Sequence, residues 1–321
     1  MRGARLVCGC LLIVGASVPV RAQRSPVEVA TLTIPAAASS VVLAKTGRLA
    51  GAVCSDQKLR LWSLPDGALL RTIDLGERSH IDVVVISADG ASLAAGDHAG
   101  GYTVWDTVTG SERLALTMPF YPSAMAFSPD GKQLAIAPVG EPVQIYDLAS
   151  RARLIELRRP VGGTSALAFS RDGSRIATAD GDTVIRVYDA RTGTMAPPNT
   201  DFLLEPLALV FTADGKQLIT GGDKVMASLD VASGKLLRKS NKLDDPVAAL
   251  DISPDGRLVA AMLLHADNML MPGLVIVSDT ASGQKITQWL PASAPLGGGW
   301  TADGLLIATG TDTALHIWRV R

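Results

Sequence analysis

A glycine with matching surroundings returns seven times along this chain, at Gly47, Gly90, Gly131, Gly173, Gly215, Gly256 and Gly304. The intervals are 43, 41, 42, 42, 41 and 48 residues. No other feature restricts the fold so tightly, because self-similarity at about 40 to 45 residues marks a propeller of four-stranded blades. The text around the glycines repeats too: "VVVISADGASLAAG", "SAMAFSPDGKQLAIA", "SALAFSRDGSRIATA", "LALVFTADGKQLITG", "ALDISPDGRLVAA" and "GGWTADGLLIATG". An apolar run, Asp-Gly and a second apolar run predict a hairpin, since glycine accepts the positive φ that such turns need.

A third strand follows at a fixed distance. Trp62, Trp105, Tyr146, Tyr188, Leu229 and Trp318 stand 14 or 15 residues after their glycines, whereas the sixth unit takes 22 and reaches Ser278. An Asp follows in "WDTVTG", "YDLAS", "YDARTG", "LDVASG" and "SDTASG", and a fourth apolar run such as "KLLRKS" comes next. Four strands of about six residues plus their turns fill the repeat.

A blade packed between two others buries both faces, so its inner strands are expected to be continuously apolar. "VVVI", "LAIA" and "LALVF" meet that demand. Ala124, Ala126, Ala166, Ala168, Ala208, Ala248 and Ala249 fall in first strands, where the converging sheets leave little room. The seventh unit supplies only three strands, while "VEVATLTI", residues 27–34, is a lone strand ahead of the first. Unpaired sheet edges invite association. The N-terminal strand is therefore expected to complete the last blade and close an all-β, seven-bladed propeller over residues 23–321.

At these residues the chain resembles the WD-repeat family, whose blades end their third strand in Trp-Asp. Asp56, Asp182, Asp223 and Asp312, six residues before the third-strand residue, match that family's hairpin Asp. The Gly-His pair that opens such repeats is missing, and only "WDTVTG" keeps literal Trp-Asp. With Pro122, Pro206, Pro246 and Pro295 just before first strands, the chain is also similar to bacterial propellers of the quinoprotein amine dehydrogenase-like group. The WD-repeat resemblance implies a rigid protein-interaction scaffold that presents its strand-connecting loops.

Residues 1–22 differ in kind. "MRGAR", the apolar run "LVCGCLLIVGASVPV" and the small residues of "VRA" predict a secretory signal cleaved after Ala22, with Ala16 as a second possible cut. The run is short for a spanning helix. Three of the 30 basic residues and none of the 31 acidic ones leave with the signal, so the exported chain carries a net charge of −4. That balance offers no footprint for nucleic acid or an anionic membrane. Cys8 and Cys10 leave as well, and Cys54 alone cannot form an internal disulfide.

No Gly-x-Ser-x-Gly elbow, phosphate-binding glycine loop, Cys-x-x-Cys or His-Glu-x-x-His occurs. The recurrent Asp residues sit at turns, where they are expected to accept backbone hydrogen bonds. The loop of the sixth unit, "MLLHADNMLMPG", is about seven residues longer than its siblings. Met262, His265, Met269 and Met271 in it are ligand types that suit cuprous copper. The competing reading is an adaptable apolar loop, and no second Met-rich cluster accompanies it. The expectation is a non-catalytic protein without cofactor, monomeric by itself, that meets a protein partner through loops at one mouth of the disc. His80, His98, Tyr121, Thr164, Glu205, Asp245 and His265 are placed there. Two other classes stay open: a lactonase-like or quinoprotein-like enzyme or redox accessory, and a small-ligand or glycan binder.

Overall fold

A computed structural model describes residues 26–76, 80–157, 162–196, 206–264, 273–291, 293, 295–311 and 313–320. Among them every regular element is a strand. β1 (Val27–Thr33) precedes blade one, which is β2 (Ala38–Leu43), β3 (Leu49–Cys54), β4 (Lys58–Ser63) and β5 (Leu69–Asp74). Blade two is β6 (Ile81–Ile86), β7 (Ser92–Asp97), β8 (Gly101–Asp106) and β9 (Glu112–Thr117). Blade three is β10 (Pro122–Phe127), β11 (Gln133–Pro138), β12 (Gln144–Asp147) and β13 (Arg153–Glu156). Blade four shows β14 (Thr164–Phe169), β15 (Arg175–Asp180) and β16 (Ile185–Asp189), with one further bridge from Tyr188 to Met195. Blade five is β17 (Pro206–Phe211), β18 (Gln217–Gly222), β19 (Val225–Asp230) and β20 (Leu236–Lys239). Blade six is β21 (Val247–Ile252), β22 (Leu258–Leu263), β23 (Val275–Asp279) and β24 (Lys285–Trp289). Blade seven is β25 (Pro295–Thr301), β26 (Gly304–Gly310) and β27 (Ala314–Val320), completed by β1.

The closure is the one expected. β1 pairs antiparallel with β27 from Val27 opposite Arg319 to Thr33 opposite Ala314. Leu32 and Ile34 are buried there with Leu315 and Ile317, and the same core takes in Ala50, Ala52 and Trp62 of blade one. Neighbouring first strands touch all the way round, including β2 with β25, so the disc has no open side.

Burial is graded along the radius. The second strands, such as β7 and β11, are buried almost without interruption, as both-face packing requires. The first strands depart from the expected continuity: β6 reads half-buried with Asp82 exposed, because the innermost strand lines the central channel. Fourth strands alternate outward-exposed residues, as in β5. The third-strand residue explains how blades interlock. Trp62 packs on Leu306 and Ala308 of the preceding blade, Trp105 on Leu59 and Leu61, Tyr188 on Ile145 and Leu157, and Leu229 on Ile185 and Val187. Each buried ring is worth roughly 1.5–3 kcal/mol of apolar burial.

The Asp-Gly turns follow one design. The hydroxyls of Ser87, Ser128, Ser170, Thr212 and Ser253 donate to Asp89, Asp130, Asp172, Asp214 and Asp255 at 2.6–2.7 Å. Each Asp also accepts the backbone N–H two residues on, and each hydroxyl accepts the N–H five residues on. A second carboxylate series closes the turn after the third strand, where Asp147, Asp189, Asp230 and Asp279 each accept backbone and hydroxyl donors three residues on. These bonds favour the charged form and hold Asp130, Asp172, Asp214 and Asp255 of the first series, and all four carboxyls of the second, below their ordinary range. Ser170 and Ser174 bring Asp172 to about 2. The Thr109 donors and Arg113 do the same for Asp106, also to about 2. A carboxyl depressed on folding stabilises the native state above its unfolded pKa and loses that contribution as pH falls through its folded one. Thermal stability should therefore be flat from pH 7 to about 4 and collapse from about 4 toward 2. Melting curves in graded buffers check this, and Asp172→Asn should make the decline shallower.

Candidate functional site

Every first strand carries a bulge at its second residue. Ser39, Asp82, Ser123, Ser165, Leu207, Ala248 and Leu296 are skipped in the ladder between first and second strands. A bulge leaves one residue unpaired and re-aims its side chain. Repeated seven times at the same register, it makes a ring at one mouth of the channel, on the side where fourth strands cross to the next first strand. The ring is polar in blades one to four and aliphatic in blades five to seven. Ser39, Ser123 and Ser165 donate back to the carbonyls of Val53, Ala137 and Ala179. The carboxylate of Asp82 is the one charged member.

Asp82 organises the predicted loop residues of its neighbourhood. Its Oδ2 lies 3.2 Å from Nδ1 of His98, and its Oδ1 lies 3.4 Å from Nδ1 of His80. The His98 ring stacks on Tyr121, with centroids 4.4 Å apart and planes inclined by 22°. Tyr121 and its neighbour Phe120 are 37% and 41% exposed, although chain-wide the large apolar residues are mostly inside. The loop that carries them is pinned: the Tyr102 hydroxyl donates to the Phe120 carbonyl at 2.8 Å, and Met118 N–H donates to Gly100 O at 2.8 Å. Gly100 has φ +85°, and a Cβ there would stand 2.1 Å from Met118 O, so only glycine permits this approach. Asp97 fixes the other side of the turn by accepting N–H groups of Ala99 and Gly101, both at 2.9 Å. The result is a pinned loop in which the Tyr121–His98 stack and His80 gather at the Asp82 carboxylate, with Phe120 exposed next in the chain.

The other expected members stand elsewhere. Thr164 does not reach the surface: it is buried at the start of β14, and its hydroxyl donates to Asp180 at 2.8 Å. The position before each bulge pairs inward with the end of the second strand, which is why it is internal. Asp245 is half-buried in the connection into blade six, across the ring from Asp82. Glu205, His265, Met269 and Met271 lie outside the described residues, as does Asp312. Met262 is buried between blades six and seven, with its methyl against Gly298. No group of three or more His, Cys, Asp or Glu is placed to hold a metal among the described residues. Cys54 is buried, and that burial pushes its thiol up.

Two of the hairpin Asp residues, Asp56 and Asp182, pair with an arginine. Asp56 accepts Arg60 Nη1 at 2.9 Å, and Asp182 accepts Arg186 Nη1 and Nη2 at 3.0 and 2.7 Å. Arg186 also donates to the buried Asp180 at 2.6 Å, and Thr178 adds a further donor to it. The Asp-x-x-x-Arg spacing in "DQKLR" and "DTVIR" is a signal that the sequence reading passed over, and Asp82 is another.

Comparison with known proteins agrees with this architecture. A family model described as WD domain, G-beta repeat, matches residues 157–189, the core of blade four. The chain is a seven-bladed propeller whose fourth blade matches the WD repeat. Among curated proteins it is similar to the small ribosomal subunit protein RACK1 of Caenorhabditis elegans, 29% identical over 109 residues. Those cover 34% of this chain and 33% of that protein. It is also similar to the WD repeat-containing protein SL1-17 of Schistosoma mansoni, 29% identical over 110 residues, 34% of this chain and 36% of that protein. The matched stretch thus spans about a third of these WD-repeat relatives. No helix among the described residues is long and apolar enough to cross a membrane.

Proposed function

We propose that this propeller is a non-catalytic protein-interaction scaffold, exported by its N-terminal segment, that receives a partner on the mouth formed by blades two and three. The exposed pair Phe120 and Tyr121, locked beside His98 and Asp82, carries the reading. Aromatic residues held rigid at the surface supply large contact area at little entropic cost, and such residues dominate interface energetics. With a carboxylate beside the His98–Tyr121 stack, the site suits a partner segment that presents arginine, through a charge-assisted bond to Asp82 and stacking on Tyr121. The likeness to WD-repeat proteins supports the scaffold role, and the charged, apolar and small-residue order of residues 1–22 supports export.

Immobilised wild-type protein is expected to capture proteins from its native source that a Phe120→Ala/Tyr121→Ala variant fails to hold, with the variant's melting temperature unchanged. Identical captured sets would overturn the assignment of this mouth. N-terminal sequencing of the protein recovered from the producing cell should begin at Gln23, whereas Met1 or Arg2 would refute cleavage.

A further inference from the structure

One of the seven blade interfaces breaks the packing rule on both of its sides. The row of each blade that faces its successor carries an aliphatic third-strand residue, namely Leu61, Val104, Ile145, Val187, Val277 and Ile317, but blade five has Ser228. The row that faces the predecessor carries Trp62, Trp105, Tyr146, Tyr188, Leu229 and Trp318, but blade six has Ser278. These two serines oppose each other across the same seam. The ladders extend both rows outward, with Ile219, Ser228 and Arg238 in register on one wall and Val259, Ser278 and Lys285 on the other.

The missing bulk leaves a cleft of about 520 Å³ between blades five and six. That volume lies within the range of small-ligand sites. Its floor is apolar, with Ile219, Val259 and Ile276. Its walls hold Arg238, Lys239, Lys242 and Lys285 against two acids, Asp244 and Asp279, the latter already accepting Ser282 N–H and hydroxyl at 2.7 Å. Arg238 crosses the seam to the Thr280 carbonyl at 3.4 Å. Ser228 is 8% exposed, and neither its hydroxyl nor that of Thr280 has a hydrogen-bond partner among the described residues. A buried hydroxyl left unpaired forfeits its hydration without replacement, so two of them lining one cationic cleft point to a ligand that accepts hydrogen bonds.

We propose that this seam binds a small organic anion, its apolar body on the Ile219–Val259 floor and its acidic head between the Ser228 and Thr280 hydroxyls and the Arg238 and Lys285 cations. The probe is 8-anilinonaphthalene-1-sulfonate, titrated by fluorescence into the native full chain at pH 7. One saturable site is expected. Ser278→Trp restores the residue type of the sibling blades, and should weaken binding at least about tenfold while the melting temperature holds or rises. Arg238→Glu/Lys285→Glu, with an unchanged melting temperature as the check on folding, should weaken it at least about tenfold, a loss of about 1.4 kcal/mol. Arg153→Glu, on the outer strand of blade three and away from the cleft, should leave it unchanged. The neutral analogue N-phenyl-1-naphthylamine should bind far more weakly. Absence of a saturable site, equal affinity for the neutral analogue, or parental affinity in the double charge variant would overturn the proposal.

Discussion

A chain lacking residues 26–34 is expected to lose its cooperative melting transition or to melt more than about 15 °C lower. β1 is the fourth strand of blade seven, and it buries Leu32 and Ile34 almost completely against β27 and blade one. At roughly 1.5–3 kcal/mol for each large buried side chain, and with six ladder pairs lost besides, the strand contributes an amount comparable to the whole stability of a typical domain, about 5–15 kcal/mol. Its removal also bares the β27 edge, which invites association between chains. Leu32→Ala alone should cost about 2–5 kcal/mol. Calorimetry on both variants, with light scattering to follow association, measures this. A truncated chain that melts within a degree or two of the parent would refute the closure.

Arg186→Met is expected to cost about 3–5 kcal/mol, the penalty for leaving a buried charge unpaired. Asp180 is fully buried, and Thr164, Thr178 and Arg186 donate to it. Burial nevertheless raises its carboxyl pKa, so the three donors only partly offset desolvation. Without the guanidinium the carboxyl pKa should rise further, and the variant should recover stability as pH is lowered, opposite in sign to the turn carboxylates. A melting temperature that drops on the order of 10 °C at pH 7, and by less at pH 5, is the expected pattern. Equal losses at both values would argue that Arg186 contributes packing alone. Asp180→Asn in the same background should relieve most of the deficit.

The repeat made the ring legible because packing and turn chemistry both write themselves at fixed spacing. Gly90 and its siblings mark turns whose positive φ glycine meets without strain, and Trp62 or Tyr146 mark the strand that plugs into the preceding blade. The closing strand could be inferred from arithmetic, since blade seven was one strand short. Thr164 shows where spacing fails. It lies one residue from a channel-facing position, and whether a side chain points to solvent or core turns on the bulge, which no pattern in "GGTSALAF" announces. Asp82 was hidden for the same reason, because its role depends on His80 and His98 arriving from two different turns. Ser278 was visible as a departure from the aromatic series. Its meaning required the register that sets Ser228 opposite, a relation between residues fifty apart that strand periodicity alone does not encode.

The pairing of β1 with β27 also sets a schedule for synthesis. β1 is made some 290 residues before its partner, so at about 5–20 residues per second a β-prone strand waits tens of seconds without a mate. Six blades can stack in that interval, but none of their junctions restrains the free ends until the final hairpin exists. Holding that nascent strand apart from its neighbours on the polysome is then a task for chaperones, and the tempo of translation becomes a determinant of yield.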